Sequence, residues 1–484
     1  MVAVTPTTAP RPATRVVVVG GGPGGYEAAL VARRRGADVT VVEAQGVGGS
    51  AVLTDVMPSK TLIATAEWLT ISDRAPELGI RVAGLPGSGQ DARHVIDLAA
   101  VNRRVKALAA AQSADIRTRL ETDGVRVVAG HGRLDGPDRV VVTAAGEDGR
   151  PGEETVLEAD AVLLATGARP RTLPEAEPDG ERILTWTQLY DLDRLPERLV
   201  VVGSGVTGAE FAGAFSALGA DVVLVSSRDR VLPGEDADAA ELLERVFLQR
   251  GMTVMSRSRA TGAVRTADGV RVTLEDGRTV DGSHVLMAVG AVPRTEGLGL
   301  ETAGVATTPS GHIEVDRVSR TTAKGVYAAG DCTGIYPLAS VAATQGRVAM
   351  SHALGDAVQP LSLRAVAANV FTNPEIATVG RSESRLKELG IRYEVQMLPL
   401  ARNPRAKMLG VRDGFFKIYA REGSGTVLGA VVVGPRASEA VYPLTLAVTH
   451  RLQVEQLADA STVYPSMSGT AAEVARLLWH GISD

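Results

Sequence analysis

Two stretches of this chain carry the same pattern, and few folds accommodate it. Residues 16–19 are four consecutive valines, a run suited to a parallel strand buried on both faces. Gly20, Gly22 and Gly25 follow at G-x-G-x-x-G spacing, then an expected helix over 26–35 closed by Gly36, then a second expected strand over 38–42 that ends on Glu43. Glycines at that spacing permit a tight turn and let the backbone approach a pyrophosphate at the helix N-terminus. Glu43 lies 18 residues past Gly25, where a carboxylate would accept hydrogen bonds from a ribose. The order recurs about 180 residues later. An expected strand over 199–202 leads into Gly203, Gly205 and Gly208, then a helix over 209–218 and a strand over 221–225. Strand, glycines, helix and strand in that order, twice, imply an α/β chain with two dinucleotide sites.

The second strands end differently. Glu43 closes the first, while Ser226, Ser227 and Arg228 close the second. A carboxylate there repels a 2′-phosphate, whereas hydroxyls and a guanidinium receive one. The second site is therefore expected to take NADPH, with NADH left open.

Composition narrows the class further. The 484 residues are 45% hydrophobic and 22% charged, with a net charge of −5, which suits a soluble globular chain and points to neither nucleic acid nor an anionic membrane surface. No apolar run reaches the 18 residues of a membrane span. The start has no secretory h-region, and its Pro and Thr content suggests a loose tail over residues 1–14. One cysteine, Cys332, excludes any intramolecular disulfide, and a cysteine-poor chain without a signal is expected in the cytoplasm. The histidines form no metal-ligand motif, so no metal site is expected.

Further segments resemble the flavoprotein disulfide reductases, the family of lipoamide dehydrogenase and glutathione reductase. The stretch GGSAVLTDVMPSK over 48–60 is similar to their redox-active segment at both ends. ATGARP over 165–170, TTAKGVYAAGD over 321–331 and VFTNPEIATVG over 370–380 resemble their later landmarks in order. The resemblance implies two Rossmann-like domains, for FAD and NAD(P), and an α+β C-terminal interface domain that builds a homodimer. The expected boundaries are 15–168 and 293–362 for the two parts of the FAD-binding region, 169–292 for the NAD(P)-binding domain and 363–484 for the interface domain. It implies FAD contacts from Gly20, Gly22, Gly25, Glu43, Gly49, Ser50, Lys60, Gly132, Thr166, Gly167, Ala168, Asp331, Leu338 and Ala339. It implies NAD(P) contacts from Gly203, Gly205, Val206, Thr207, Gly208, Glu210, Ser226, Ser227, Arg228 and Gly290. In the family, the residues matching Lys60 and Glu210 form an ion pair near the flavin.

The departures matter as much. Ala51 and Val56 stand where the family has its two redox cysteines, so no dithiol relay can operate. Near the C-terminus the family has His-Pro-Thr-x-Ser-Glu, an acid–base dyad, whereas this chain reads Tyr464-Pro465-Ser466-Met467-Ser468-Gly469. A phenol of pKa about 10 is a poor base at neutral pH but can donate a hydrogen bond to a reduced oxygen. A smaller departure, Gly290-Ala291-Val292-Pro293-Arg294 for Gly-Arg-x-Pro-Asn, carries no evident chemistry.

The expectation is an FAD-dependent NAD(P)H:quinone oxidoreductase. Hydride passes from NAD(P)H to FAD and then directly to a quinone held against Ala51, Val56 and the other subunit's Tyr464. Lys60, Glu210 and Tyr464 are the candidate catalytic residues. Two other readings stand beside it: a soluble pyridine nucleotide transhydrogenase, and a non-catalytic FAD-binding redox sensor or partner protein.

Overall fold

The computed structural model describes residues 13–80, 95–146 and 151–483. The expected tail over 1–14 lies outside them apart from Ala13 and Thr14. The chain divides into two compact units, one of Met1–Met57, Ala107–Arg169 and Ala291–Leu361, the other of Pro58–Lys106, Pro170–Gly290 and Ser362–Asp484.

In the first unit the valine run becomes the strand Arg15–Val19, centre of a five-stranded parallel sheet. Asp38–Glu43 pairs on one side with Val16 opposite Val39, and Ala161–Leu164 pairs on the other. The pleat sends alternate valines to opposite faces. Val16 and Val18 pack with Ala28, Ala29 and Leu30 of the helix Pro23–Arg34. Val17 and Val19 pack with Leu134, Val140 and Val142 of a small antiparallel sheet built from His131–Leu134, Arg139–Ala145 and Pro151–Glu158. All four valines are at most 4% exposed. Each buried side chain contributes roughly 1.5–3 kcal/mol, which explains a run with no polar alternation.

The second unit repeats this plan around the strand Arg198–Val202. Leu199 and Val201 face the helix Val206–Leu218 through Ala209, Phe211 and Phe215. Val200 and Val202 face an antiparallel sheet through Val270, Val272 and Leu274. The same unit holds a five-stranded antiparallel sheet of Ala367–Val370, Glu375–Gly380, Val427–Gly434, Phe415–Arg421 and Tyr393–Pro399, in that spatial order. The helices Tyr442–His450 and Gly469–Ser483 bury Leu444, Val474 and Leu478 in its core. A buried network ties this sheet to the helix Ala237–Gln249. Asp236 caps that helix and also accepts from Lys417 Nζ at 2.9 Å and from the Tyr419 hydroxyl at 2.8 Å. Among the described residues no helix is long and apolar enough to cross a membrane.

Candidate functional site

The two glycine fingerprints adopt one local structure. Gly20 and Gly203 turn the chain at φ +103° and +110°. Gly22 and Gly205 then start the helices at φ −69°, ψ −176° and φ −70°, ψ −172°. Within each fingerprint the glycines do different work. A Cβ on Gly25 would strike the Gly20 carbonyl oxygen, and one on Gly208 would strike that of Gly203, so these two let helix and strand close together. A Cβ on Gly22 or Gly205 would meet nothing within 4 Å. The space those two leave open is available to a ligand at a helix N-terminus.

Beside Gly22 the first unit has a cleft of about 110 Å³ that opens to solvent. Gly20, Gly22, Glu43, Gly49, Ser50, Thr166, Gly167, Ala168, Asp331 and Ala339 all line it, as do Ala51 and Val56. Segments distant in sequence are thus brought to one place by the strand ends of a parallel sheet. Glu43 holds the cleft's shape as well as lining it. Its Oε2 accepts from Gly21 N at 2.6 Å and its Oε1 from Gln45 N at 2.7 Å and Gly46 N at 3.3 Å. Two carboxylate oxygens offer about four acceptor sites, so Oε2 keeps room for a ribose hydroxyl. The Asp331 carboxylate has no hydrogen-bond partner among the described residues. Burial pushes it above the ordinary carboxylate value, partly opposed by His312. A glycine-walled space with a desolvated, unpaired acid fits a dinucleotide carrying a diphosphate and a polyol chain.

Four expected FAD residues, Gly25, Lys60, Gly132 and Leu338, are absent from this lining. Gly25 serves packing, as above. Gly132 sits in a strand where an added Cβ would press on Val19 and Val42. Leu338 caps the helix Ala339–Ala353.

The segment over 48–60 forms two helices, Gly49–Leu53 and Val56–Asp73. Ala51 is half-buried and Val56 is 38% exposed. One turn past Val56 along the same helix, Lys60 belongs to the second unit, where it meets Glu210. Lys60 Nζ donates to Glu210 Oε2 at 2.7 Å, and Phe371 N donates to Glu210 Oε1 at 2.8 Å. The Lys60 ammonium also lies 5.0 Å from the centroid of the Phe371 ring. Glu210 is 3% exposed and Lys60 25%. The acid is thus paired and hydrogen-bonded, as a buried charge must be.

At the second fingerprint, Val206 and Thr207 begin the helix and Val206 is exposed. Gly290 turns at φ +96°. One expectation is corrected here. Ser226 cannot receive a 2′-phosphate with Ser227 and Arg228, because it is fully buried. Its hydroxyl lies 2.7 Å from that of Ser204 and accepts from Arg228 N at 3.1 Å. A short hydroxyl at a strand end is readily spent on local backbone. Ser227 and Arg228 are exposed.

Tyr464 is 80% exposed in the single chain. Cys332 is fully buried and donates to Ala329 O at 3.3 Å, and burial pushes its thiol up to about 11. Sequence reasoning missed Arg294, which lines the cleft with its Nε buried and without a hydrogen-bond partner. The departure from Gly-Arg-x-Pro-Asn at this position was the available signal.

Residues 14–346 match the family model for pyridine nucleotide-disulphide oxidoreductases, and residues 366–475 match the model for the dimerisation domain of the same family. The chain is 53% identical over 472 residues to NAD(P)H dehydrogenase (quinone) of Mycobacterium tuberculosis, covering 96% of this chain and 94% of the relative. It is 33% identical over 464 residues to dihydrolipoyl dehydrogenase of Chlorobaculum parvum, covering 95% and 96%. The crystal structure of LpdA from M. tuberculosis superposes with a TM-score of 0.90 at 52% identity, covering 96% of this chain and 99% of that one. Matches of this extent cover both fingerprints and the C-terminal sheet, and the chain belongs to the pyridine nucleotide-disulphide oxidoreductase family, whose members bind FAD and use pyridine nucleotides.

Proposed function

We propose that this chain is an FAD-dependent NAD(P)H:quinone oxidoreductase, a homodimer of the cytoplasm that works without a dithiol. The observation that carries this reading is the cleft lining. Ala51 and Val56 occupy the two positions where relatives hold redox cysteines, and the only cysteine of the chain is the buried Cys332. The M. tuberculosis relative, a quinone dehydrogenase by name, supports it.

FAD, when bound, supplies two-electron transfer between a nicotinamide and a quinone. The protein binds and orients. Gly22 opens the first helix N-terminus to the diphosphate of FAD, and Glu43 takes the ribose. Gly205 does the same for the second dinucleotide, with Ser227 and Arg228 meeting a 2′-phosphate when NADPH is used. Lys60 holds a fixed positive charge on the helix that begins in the cleft lining, and Glu210 keeps that charge in place. A preorganised cation favours negative charge developing nearby. Ala51 and Val56 give the acceptor an aliphatic surface and no competing thiol. The phenol O–H of Tyr464, supplied by the partner protomer, donates a hydrogen bond to a quinone oxygen. Dimerisation is supported by apolar side chains left exposed in the C-terminal region, Tyr442, Val463, Tyr464 and Leu477 among them.

Anaerobic stopped-flow tests the reading. Flavin absorbance should bleach rapidly with NADPH and recover rapidly on adding menadione. Bleaching that recovers only with a second nucleotide would favour transhydrogenase chemistry, and no bleaching at all would favour a non-catalytic role.

A further inference from the structure

The turn that carries Tyr464 is fastened to a cationic segment of the same unit. Residues 400–414 connect the strands Tyr393–Pro399 and Phe415–Arg421. The ends of this connection close on each other, with Leu400 N donating to Gly414 O at 2.8 Å. Leu400, Asn403 and Ala406 are buried and anchor it. Asn403 is the link to the Tyr464 turn. Its Nδ2 donates to Ser466 O at 3.0 Å and to Thr470 Oγ1 at 2.9 Å, while its Oδ1 accepts from Ala406 N at 3.0 Å. Farther along, Arg74 Nη2 donates to Leu409 O at 3.0 Å and to Gly410 O at 2.8 Å. The segment is thus held at its base, its middle and its far turn.

Held this way, it presents one sign of charge. Arg402, Arg405, Lys407 and Arg412 are exposed, and none forms an ion pair or side-chain hydrogen bond among the described residues. No acid occurs between Val395 and Arg412, nor between Ala460 and Ala472 around Tyr464. Asp413, the next acid, lies beside Arg250. Four uncompensated cations in a chain of net charge −5 make a local field that the average hides. A neutral quinone makes no use of them, since aliphatic surface and one hydroxyl donor suffice for it. A ligand with a permanent negative charge does, because guanidinium pairs with an oxyanion through parallel hydrogen bonds. Cations gathered at a site also raise the local concentration of an anion and its on-rate.

We propose that residues 402–412 form an anion-recognising rim of the acceptor site, and that the preferred acceptor is a quinone bearing an oxyanion group such as carboxylate, sulfonate or phosphate. Arg402 and Arg405, on either side of Asn403, are the principal contacts. The protomer that lends Tyr464 lends these cations with it. This rests on the reading of Tyr464 as facing the quinone.

The test compares two quinones of one ring system on the holoenzyme, neutral menadione and 1,4-naphthoquinone-2-sulfonate. Their intrinsic reactivities differ, so the readout is the ratio of their kcat/KM values and how it changes. In wild type the ratio of sulfonate to menadione should fall about tenfold as ionic strength rises from about 0.01 M to about 0.15 M, which shortens the screening length from about 30 Å to about 8 Å. At low salt, Arg402→Gln/Arg405→Gln should lower the ratio about tenfold. Arg317→Gln, at an exposed cation of the first unit, should leave the ratio as it is. Calorimetric titration with naphthalene-2-sulfonate, which a flavin does not reduce, reads binding without turnover and should weaken by the same factor in the double variant. A ratio unmoved by the double variant overturns the proposal, whatever its salt dependence. So does a ratio that Arg317→Gln lowers equally, which would make the effect one of net charge. If the double variant does not fold, wild type decides: a salt-dependent ratio together with salt-dependent naphthalene-2-sulfonate binding upholds the proposal, and the absence of either overturns it. Failure of both quinones to reoxidise flavin that NADPH has bleached would sink the quinone reading itself instead.

Discussion

Replacing Lys60 with methionine keeps most of the side-chain stem and removes its charge. Glu210, 3% exposed, then keeps Phe371 N as its donor and loses its counter-ion. Removing one member of a buried pair costs about 3–5 kcal/mol. Lys60 is 25% exposed and the Phe371 bond survives, which places the loss near the lower end, about 3 kcal/mol. At roughly 2 °C per kcal/mol for a unit of this size, the unfolding temperature should fall by about 6 °C. Glu210→Gln should cost less, since Lys60 can turn its ammonium to water. The double variant Lys60→Met/Glu210→Gln leaves no unpaired charge, so it should be more stable than the sum of the two losses by about 2 kcal/mol. Thermal unfolding of the holoprotein by far-ultraviolet circular dichroism measures the cycle. Stopped-flow bleaching by NADPH measures chemistry on the same samples, and Lys60→Met should bleach more slowly with FAD retained. Additive losses in the cycle would refute the buried-pair reasoning. Unchanged bleaching with retained flavin would leave the pair a structural tie.

The fingerprint glycines predict opposite failures. Gly22→Ala should fold normally and purify without FAD, whereas Gly25→Ala should give little folded protein because its Cβ collides with the Gly20 carbonyl; flavin content and circular dichroism separate the two. Gly205→Ala should stay yellow but raise the KM for NAD(P)H at least tenfold, and normal steady-state kinetics would count against the second nucleotide site. Arg228→Ala should raise the KM for NADPH about tenfold and leave that for NADH unchanged, since only one of them carries the 2′-phosphate. The raised value at Asp331 predicts a pH effect. Its stabilisation of the folded apo-protein is complete below the unfolded carboxylate value of about 3.9 and is lost as pH rises through the higher folded value. Asp331→Asn should therefore stabilise apo-protein at pH 7 more than at pH 4 while weakening FAD. An equal shift at both pH values would contradict this.

The parts legible in the sequence are those set by short-range backbone constraints. Gly20 must turn at positive φ and Gly25 must let a carbonyl approach, so the fingerprints declare themselves within six residues. The Lys60–Glu210 pair was legible only through resemblance, because 150 residues separate the partners. Ser226 misled because its hydroxyl was read as free, and only the folded turn shows Ser204 beside it. Arg294 was passed over for a related reason. A long side chain points where its anchored backbone sends it, and that anchor is the distant Thr166–Gly167 turn. The grouping of Pro58–Lys106 with the second unit likewise depends on long-range helix packing that no local pattern encodes.

The burial of Cys332 sets how this protein meets oxidative stress. Peroxides and hypohalous acids attack thiolates, and a relay built on paired cysteines stops when either sulfur is capped. Here the sole sulfhydryl is fully enclosed and protonated at neutral pH, and the positions that would carry a relay hold alanine and valine. Quinone turnover should therefore persist after an alkylating or peroxide treatment that silences its dithiol relatives, which would let the protein keep working in a cell whose thiol pool has already been oxidised.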